Sequence, residues 1–108
     1  MRLILTGLAA SQGIAEGTAH IFSANEETSL FSEEDILVTT LTDPTMVHAM
    51  VRAAAIVTDI GGITSHPAIL SREMGIPCVV NTKDATKLIT NGMRLRVDGK
   101  KGEVYVLD

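Results

Sequence analysis

The sequence predicts one mixed α/β domain, in which strands come first, a strand–helix–strand–helix unit follows and a hairpin closes the chain. Three observations predict it. Hydrophobic residues make up 45% of the 108 residues, which is typical of a well-buried globular protein. Short apolar runs alternate with segments that carry helix start and stop signals. The chain contains no internal repeat or linker, and its length suits one core, so residues 1–108 are predicted to form a single domain.

The first part of the chain is predicted to form two strands separated by bends. Residues 3–8 are mostly apolar and predict the opening strand, and residues 18–22 predict the second. Four small residues lie near and between these strands: Gly7, Ser11, Gly13 and Gly17. Glycine accepts tight turns and positive φ, so this segment is predicted to bend. Residues 23–34 are polar and acidic, which indicates a surface loop with a short helical turn.

The middle of the chain predicts buried strands that alternate with helices. The apolar runs 36–38, 53–58 and 79–80 indicate short buried strands, and the run at 53–58 is too continuous for a half-exposed strand, so it predicts a central strand covered on both faces. Asp43 and Pro44 predict a helix start, with Asp as the N-cap and Pro at the first helical position. Four apolar side chains then follow at helical spacing and are predicted to be core: Met46, Val47, Met50 and Val51.

The second helix is delimited at both ends. Pro67 fits its first turn, which places the N-cap at Ser65 or His66. Gly75 ends the helix and Pro77 prevents its continuation. This region is therefore predicted to be a strand, a glycine-containing turn and a helix in succession.

The last part of the chain predicts a short helix and a hairpin. Residues 84–89 have a helical pattern, and residues 91–92 form an Asn-Gly turn. Residues 94–97 alternate in polarity, as a half-exposed strand does. The glycine-containing link 98–102 joins them to the apolar residues 104–107, which predicts an antiparallel hairpin.

Composition argues against several functional classes. The net charge is −4, aromatic residues make up 3% and Trp is absent, which argues against nucleic-acid binding. The single cysteine, Cys78, allows neither an internal disulfide nor a zinc cluster, and no metal site is predicted. Its apolar surroundings predict a buried structural thiol. The apolar run 3–5 is too short for a signal peptide or a membrane span, so a cytoplasmic location without membrane contact is expected.

Charge is distributed unevenly along the chain. Residues 1–60 hold two basic and eight acidic side chains, whereas residues 61–108 hold seven basic and five acidic ones. A mildly basic second half would favour an anionic substrate. A solvated surface with no functional meaning explains the asymmetry at least as well.

Residues 58–80 carry the strongest chemical signal. The apolar run before them ends at Gly61 and Gly62, and Thr64, Ser65 and His66 then stand at the mouth of the second helix. A helix N-terminus offers unpaired N–H groups and the positive end of a dipole, which suits a phosphate or another anion. A neutral imidazole there can act as a nucleophile and carry a phosphoryl group.

The same segment resembles a known family. Residues 61–79 match the pattern Gly-Gly-x-Thr-Ser-His-x-Ala-Ile-x-x-Arg-x-x-Gly-Ile-Pro-x-Val over nineteen positions. This pattern is that of the mobile, phosphohistidine-carrying domain of phosphoenolpyruvate-utilising enzymes, a group that includes phosphoenolpyruvate synthase, pyruvate phosphate dikinase and enzyme I of the sugar phosphotransferase system. Residues 11–17, 35–38, 43–44 and 91–102 also resemble the family, so the similarity covers nearly the whole chain.

The resemblance implies a compact, swivelling β/β/α phosphohistidine domain with mixed sheets and two to three helices. It implies that His66 is the catalytic residue, a nucleophile that accepts the phosphoryl group, and that Thr64 and Ser65 hold the phosphate or orient the ring. Thr64 is also implied as a site of regulatory phosphorylation. Equally, Thr64 fits an ordinary cap or turn residue.

Four further residues acquire roles from the resemblance. Gly61 and Gly62 would let the backbone approach the phosphate closely, and Arg72 would lie in or beside the helix as a phosphate-orienting residue. Thr45 matches a threonine that contacts the active histidine, although an ordinary capping role suits it equally well.

Two positions depart from the family pattern. Gln12 replaces a proline, and Pro67 replaces a small residue and removes one N–H donor from the helix mouth.

The resemblance also implies partners. The chain carries no P-loop, Gly-rich nucleotide fingerprint or acidic metal cluster. Its phosphotransferase activity would therefore be incomplete without nucleotide-binding and phosphoenolpyruvate- or pyruvate-binding domains or proteins. Mg²⁺ and ATP or phosphoenolpyruvate are expected on those modules, and no cofactor is expected on this domain itself.

Other interpretations stay open. A non-catalytic swivelling or binding module would keep the fold while its histidine stays idle. A hydrolase based on Ser65 is disfavoured because the flanking glycines of a nucleophile elbow are absent. His20 lies in a strand pattern and His48 on the polar side of a helix, so both are interpreted as structural or solvated.

Overall fold

The computed structural model describes residues 1–22 and 31–107. These residues form eight strands: β1 (Arg2–Thr6), β2 (Leu8–Ser11), β3 (Ile14–Ile21), β4 (Ile36–Thr39), β5 (Ala55–Thr58), β6 (Cys78–Val80), β7 (Arg94–Asp98) and β8 (Glu103–Val106). They also form three α-helices: α1 (Val47–Met50), α2 (His66–Met74) and α3 (Ala85–Leu88). A single 3₁₀ turn over Pro44–Met46 leads into α1.

The strands join in one mixed sheet in the order β1-β8-β7-β3-β4-β5-β6-β2. Strands β3, β4, β5 and β6 are parallel neighbours, and every other pair is antiparallel. Helix α2 packs on β2, β5 and β6, whereas α3 packs on β4 and β5. The predicted mixed α/β class is therefore confirmed, with three helices and a parallel centre.

The sheet curls until its two ends meet. Strands β1 and β2 stand at opposite ends of the strand order, yet Gly7 alone separates them in the chain. The Gly7 N–H donates to the Gly102 carbonyl at 2.8 Å, which ties this junction to the β7–β8 turn. At the other side of the turn, a Cβ on Gly99 would lie 1.8 Å from the carbonyl oxygen of Ser11. Only glycine permits this approach of the turn to β2.

Strand β4 illustrates how the centre of the sheet is buried. Ile36 and Val38 belong to one hydrophobic cluster, which also contains residues of β5, β7 and α3. Leu37, on the opposite face, belongs to a second cluster that includes Met50 and Ala68 of the helices. All four residues of β4 are buried. A continuous apolar run without alternation is the expected signature of a strand with both faces covered.

The predicted buried strands and the second helix are confirmed, with β5 beginning at Ala55 rather than at residue 53. Helix α2 begins at His66 with Ser65 as its N-cap, and it ends at Gly75, whose φ of 73° is left-handed. The third helix and the closing hairpin are also present where predicted. Local signals were sufficient here because caps and turn residues act within a few positions of themselves.

The first helix is shorter than predicted, and the prediction of its apolar face is partly wrong. Asp43 caps it as predicted, but the chain makes one 3₁₀ turn and one α-turn before it leaves the helix. Met46 and Met50 are buried, whereas Val51 is 57% exposed because it lies beyond the end of α1. A helix this short cannot turn a full stripe of four side chains toward the core.

The N-terminal strands differ from the prediction. Residues 3–8 are split at Gly7 into two strands, and the predicted turn region after them contains β2. Strand β3 begins at Ile14 rather than at residue 18, because residues 14–18 pair with β7. Of the predicted polar loop, residues 23–30 lie outside the described residues, and Phe31 is fully buried. Small residues carry little periodicity, so only tertiary pairing identifies β2.

Cys78 is a buried thiol, as its apolar neighbours predict. It is fully buried in β6, and this burial raises the pKa of its thiol from 9.0 to about 11. The thiolate is the reactive form. We therefore expect no alkylation of the folded protein by iodoacetamide at pH 8 in the time that fully modifies the urea-unfolded chain, as measured by intact mass. Equal rates in the two states would contradict this assignment.

Candidate functional site

Three loops meet at one edge of the sheet. Strands β4, β5 and β6 are parallel, so the loops that follow them, residues 40–43, 59–65 and 81–84, lie at the same edge. In open parallel sheets this edge is the usual place for a ligand site. His66 begins α2 directly after the second loop and therefore stands at this edge.

The ring of His66 is held from one side. Its Nδ1 lies 2.8 Å from the Oγ1 of Thr42, a hydrogen bond in which donor and acceptor depend on the tautomer. Thr42 is only 4% exposed, whereas His66 is half-buried. A fixed hydroxyl thus orients an imidazole that solvent can still reach.

Thr45 makes different contacts from those that the resemblance implies. Its N–H donates to Oδ1 of Asp43 at 2.7 Å, and its hydroxyl donates to the same oxygen. These two bonds hold the pKa of Asp43 below its usual value, and the bond from the hydroxyl has the larger effect. The neighbouring His66 lowers this pKa further. Thr42, not Thr45, makes the hydrogen bond with the His66 ring. Thr42 is one residue that sequence reasoning missed.

The loop before α2 is shaped by its own hydrogen bonds. Gly61 has a φ of 117°, which disfavours any side chain, and a Cβ there would lie 3.1 Å from Ser65 Oγ. The Ser65 hydroxyl donates to the Gly62 carbonyl at 2.6 Å, so it stabilises the loop rather than capping the helix. A Cβ on Gly62 would meet no atom within 4 Å, and Thr64 is exposed. Open space therefore lies beside Gly62.

Arg72 is a positioning residue in this structure. Its Nη1 donates to the carbonyl of Ala10 in β2 at 2.8 Å, and its Nη2 donates to the carbonyl of Ile63 at 2.7 Å. One guanidinium thereby fastens helix α2 to an edge strand and to the loop that precedes His66. The planar fork of a guanidinium suits a phosphate in general, and in this structure it binds two backbone carbonyls.

The N-terminus of α2 offers fewer backbone N–H donors to an anion than an ordinary helix N-terminus does. The first turn of a helix offers N–H groups that have no partner within the helix. Pro67 occupies this turn and has no N–H, which leaves the N–H groups of His66 and Ala68 as its remaining donors. The positive end of the helix dipole stays in place.

Asp59 is a second residue that sequence reasoning missed. It is only 7% exposed, and its Oδ1 accepts from the Thr86 N–H at 2.9 Å. Its Oδ2 accepts from the hydroxyls of Thr86 at 2.5 Å and Thr40 at 3.4 Å. These bonds join α3 to the loop that carries Thr42. An acidic residue directly after the short, mostly apolar run Ala55–Thr58 is the sequence signal that marks it.

Within residues 1–22 and 31–107, no cluster of three or more His, Cys, Asp or Glu side chains could hold a metal ion. No helix in the same residues combines the length and apolar character that a membrane span requires.

A comparison with family models identifies the domain. Residues 31–102, which include every loop of the site described above, match the model of the PEP-utilising enzyme, mobile domain. The chain belongs to this family. The resemblance inferred from residues 61–79 is thereby confirmed, and the eight-stranded fold is that of a mobile domain.

Curated relatives of the mobile domain are much longer proteins. A probable phosphoenolpyruvate synthase of Archaeoglobus fulgidus is 57% identical over 104 residues, which are 96% of this chain and 14% of the relative. The phosphoenolpyruvate synthase of Pyrococcus furiosus is 58% identical over 103 residues, 95% of this chain and 13% of the relative. A rifampicin phosphotransferase of Bacillus cereus is 42% identical over 103 residues, 95% and 12% respectively. The mobile domain thus spans 12–14% of the length of these relatives.

Solved structures agree on the fold. A solution structure of an Enzyme I protein superposes on 75% of the mobile domain and 34% of its own chain, with a TM-score of 0.65 and 31% identity. Aconitase X of Thermococcus kodakaraensis superposes on 96% of this chain and 98% of its own with a TM-score of 0.70. Its sequence identity is 20%, so this second likeness concerns the fold alone.

Proposed function

We propose that the domain is a phosphoryl carrier in which His66 is transiently phosphorylated between a donor site and an acceptor site on partner modules. One observation supports the proposal above the others. Thr42 Oγ1 orients the ring through Nδ1 at 2.8 Å, at the mouth of a nine-residue helix. A buried hydroxyl on Nδ1 leaves Nε2 as the ring nitrogen available for attack.

The chemical step follows from this orientation. With Nδ1–H donating to Thr42, the lone pair of Nε2 forms a bond to phosphorus while the bond from phosphorus to the leaving oxygen breaks. The electron pair departs with that oxygen. The ring gains positive charge during attack, and a hydrogen bond from a charged N–H is stronger than one from a neutral N–H. Thr42 therefore stabilises the transition state more than the ground state.

The phosphoryl group would lie where the loop leaves space. The open volume beside Gly62 and the N–H of Ala68 at the first turn of α2 support a phosphate position there. Thr64 is exposed two residues before His66, and we assign it a phosphate contact and a site of regulatory phosphorylation. Ser65 and Arg72 act indirectly, since both bind the backbone of the loop.

The donor and acceptor sites are assigned to other modules. We propose nucleotide-binding and phosphoenolpyruvate- or pyruvate-binding domains or proteins as partners, with Mg²⁺ and ATP or phosphoenolpyruvate bound there. The names of the relatives, phosphoenolpyruvate synthase and rifampicin phosphotransferase, support a transferase context. A cytoplasmic setting suits these substrates. The domain itself contributes the carrier histidine and its orientation.

Intact mass at neutral pH tests the proposal. The domain is incubated with host lysate and either ATP or phosphoenolpyruvate, with His66→Ala in parallel. We expect wild type to gain the mass of one phosphoryl group, to lose it in mild acid because a phosphoramidate is acid-labile, and His66→Ala to gain none. An unmodified wild type with both donors would contradict the proposal.

One alternative has an observation in its favour. Pro67 removes a donor from the helix mouth, as an idle, non-catalytic swivelling or binding module would tolerate. An idle histidine gains no phosphate from any donor. An acid-stable phosphate that persists in His66→Ala and disappears in Thr64→Ala would instead indicate regulation without carriage.

A further inference from the structure

A solvent-open cavity lies between helix α2, strand β2 and the β7–β8 turn. It measures about 540 Å³ and is lined by residues 9–12, by Arg72 and Gly75, and by residues 99–100. We call it the α2–β2 cavity. Its volume falls within the range of about 300–1,000 Å³ that small-molecule sites in proteins occupy. Arg72 and Gly75 follow His66 by six and nine residues, so the cavity lies about 9–13 Å from this histidine along the helix axis.

Two cationic side chains with unused donors line the α2–β2 cavity. Arg72 has five N–H groups, and two of them donate to the Ala10 and Ile63 carbonyls. Its other three N–H groups have no hydrogen-bond or ion-pair partner among the described residues. Lys100 is exposed, and no carboxylate in the same part of the chain pairs with its ammonium group. The cavity therefore presents two positive charges to a ligand.

Negative charge near the cavity is weaker than these two cations. No acidic side chain is among the described residues that line it. Asp98, at the end of β7, is only 8% exposed, and its Oδ1 already accepts from the Lys100 and Lys101 N–H groups. Glu73 follows Arg72 directly, and adjacent side chains on a helix do not face each other. The negative end of the α2 dipole is equivalent to about half a charge, so the positive charge of the cavity prevails.

The rest of the wall suits a small organic group. Ala9 and Ala10 present only methyl groups, and a Cβ on Gly75 would meet no atom within 4 Å. Gln12 is exposed, and its side-chain amide can both donate to and accept from a hydroxyl group. Space and polar groups therefore remain beside the two cations for more than a bare ion.

We propose that the α2–β2 cavity binds a small phosphate monoester, at a ligand site separate from His66. A phosphate monoester carries a charge of about −1.5 to −2 at pH 7, which matches the two cations better than a single carboxylate does. The guanidinium of Arg72 donates in one plane and suits the paired oxygens of a phosphate, and the Lys100 ammonium adds a point charge on a flexible stem. The inference does not depend on the proposed carrier function, because His66 takes no part in this binding.

The test is a titration of the ¹⁵N-labelled chain with glycerol 3-phosphate, followed by amide chemical shifts at a constant ionic strength of about 0.15 M. Lys100→Gln removes one cation and leaves both carbonyl bonds of Arg72 in place, whereas a change of Arg72 itself would release α2 from β2. Lys101→Gln is the matched control, since this lysine is exposed in the same turn and lies outside the lining of the cavity. Succinate, a dianion without phosphorus, separates recognition of phosphate from attraction to charge.

We expect the amides of Gly75, Gly99 and Lys100 to shift and to saturate with a dissociation constant of about 1 mM. Lys100→Gln is expected to raise this constant at least about fivefold and Lys101→Gln less than about twofold, and succinate is expected to bind wild type at least about fivefold more weakly. Equal weakening by the two lysine variants would overturn the inference, because the anion would then respond to surface charge alone. Equal affinity for succinate, shifts that do not saturate, or shifts confined to residues 64–68 at the N-terminus of α2 would overturn it as well.

Discussion

Replacing Gly99 with alanine is expected to lower the free energy of unfolding by at least about 3 kcal/mol. The new Cβ would lie 1.8 Å from the Ser11 carbonyl oxygen, 3.0 Å from its carbon and 3.1 Å from the Cys78 nitrogen. All three are backbone atoms, so no side-chain rotation relieves the overlap. Either β2 moves away from the β7–β8 turn or the pairing of β2 with β6 breaks.

Urea unfolding followed by circular dichroism measures this loss. Gly62→Ala is the matched control, since a Cβ there meets no atom within 4 Å, and its change is expected to stay within about 0.5 kcal/mol. A Gly99→Ala protein as stable as Gly62→Ala would show that the curled sheet tolerates separation of its ends.

Thr42→Val is expected to slow phosphorylation of His66 by about tenfold to hundredfold, the equivalent of one hydrogen bond to a charged group. Valine keeps the shape of threonine, but it cannot accept a hydrogen bond from Nδ1–H. The ring then loses both its preferred tautomer and its orientation toward the donor. The rate of acid-labile phosphate formation measures the first effect, and ¹⁵N chemical shifts of the imidazole measure the second.

Thr45→Val makes the same chemical change three residues later. Because Thr45 binds Asp43 rather than the ring, this variant is expected to keep the wild-type phosphorylation rate and imidazole shifts. The opposite pattern, a slow Thr45→Val and a normal Thr42→Val, would mean that the loop rearranges when the donor binds. Comparing the two valine variants therefore separates orientation of the histidine from capping of the adjacent turn.

Sequence reasoning succeeded for α2 because its determinants are local. Pro67 and Gly75 each specify backbone geometry within a few residues, and they stand in the first turn and at the C-terminal end of α2, as predicted. Ser65 is the N-cap by position, although its hydroxyl binds the Gly62 carbonyl instead of the helix. The apolar strands β4 and β5 were equally clear, since a run of branched side chains without alternation fits only a strand buried on both faces.

The same reasoning failed where the answer depended on distant parts of the chain. Strand β2 consists of Leu, Ala, Ala and Ser, and it is a strand only because β6 lies beside it. Thr42 and Thr45 are the same residue type on either side of one helix start. Which hydroxyl reaches His66 is decided by how the ends of β4 and β5 align, and that alignment is set by the sheet register.

The pairing of the first strand with the last has a mechanical consequence. Arg2 lies opposite Val106 in the antiparallel register of β1 and β8, so the two ends of the domain are neighbours. In any longer polypeptide that contained this domain, the chain would enter and leave at a single point on its surface. Two tethers at one point would act as a pivot. The whole body could then rotate about them, and His66 would travel along an arc without a single strand of the sheet separating from its neighbour.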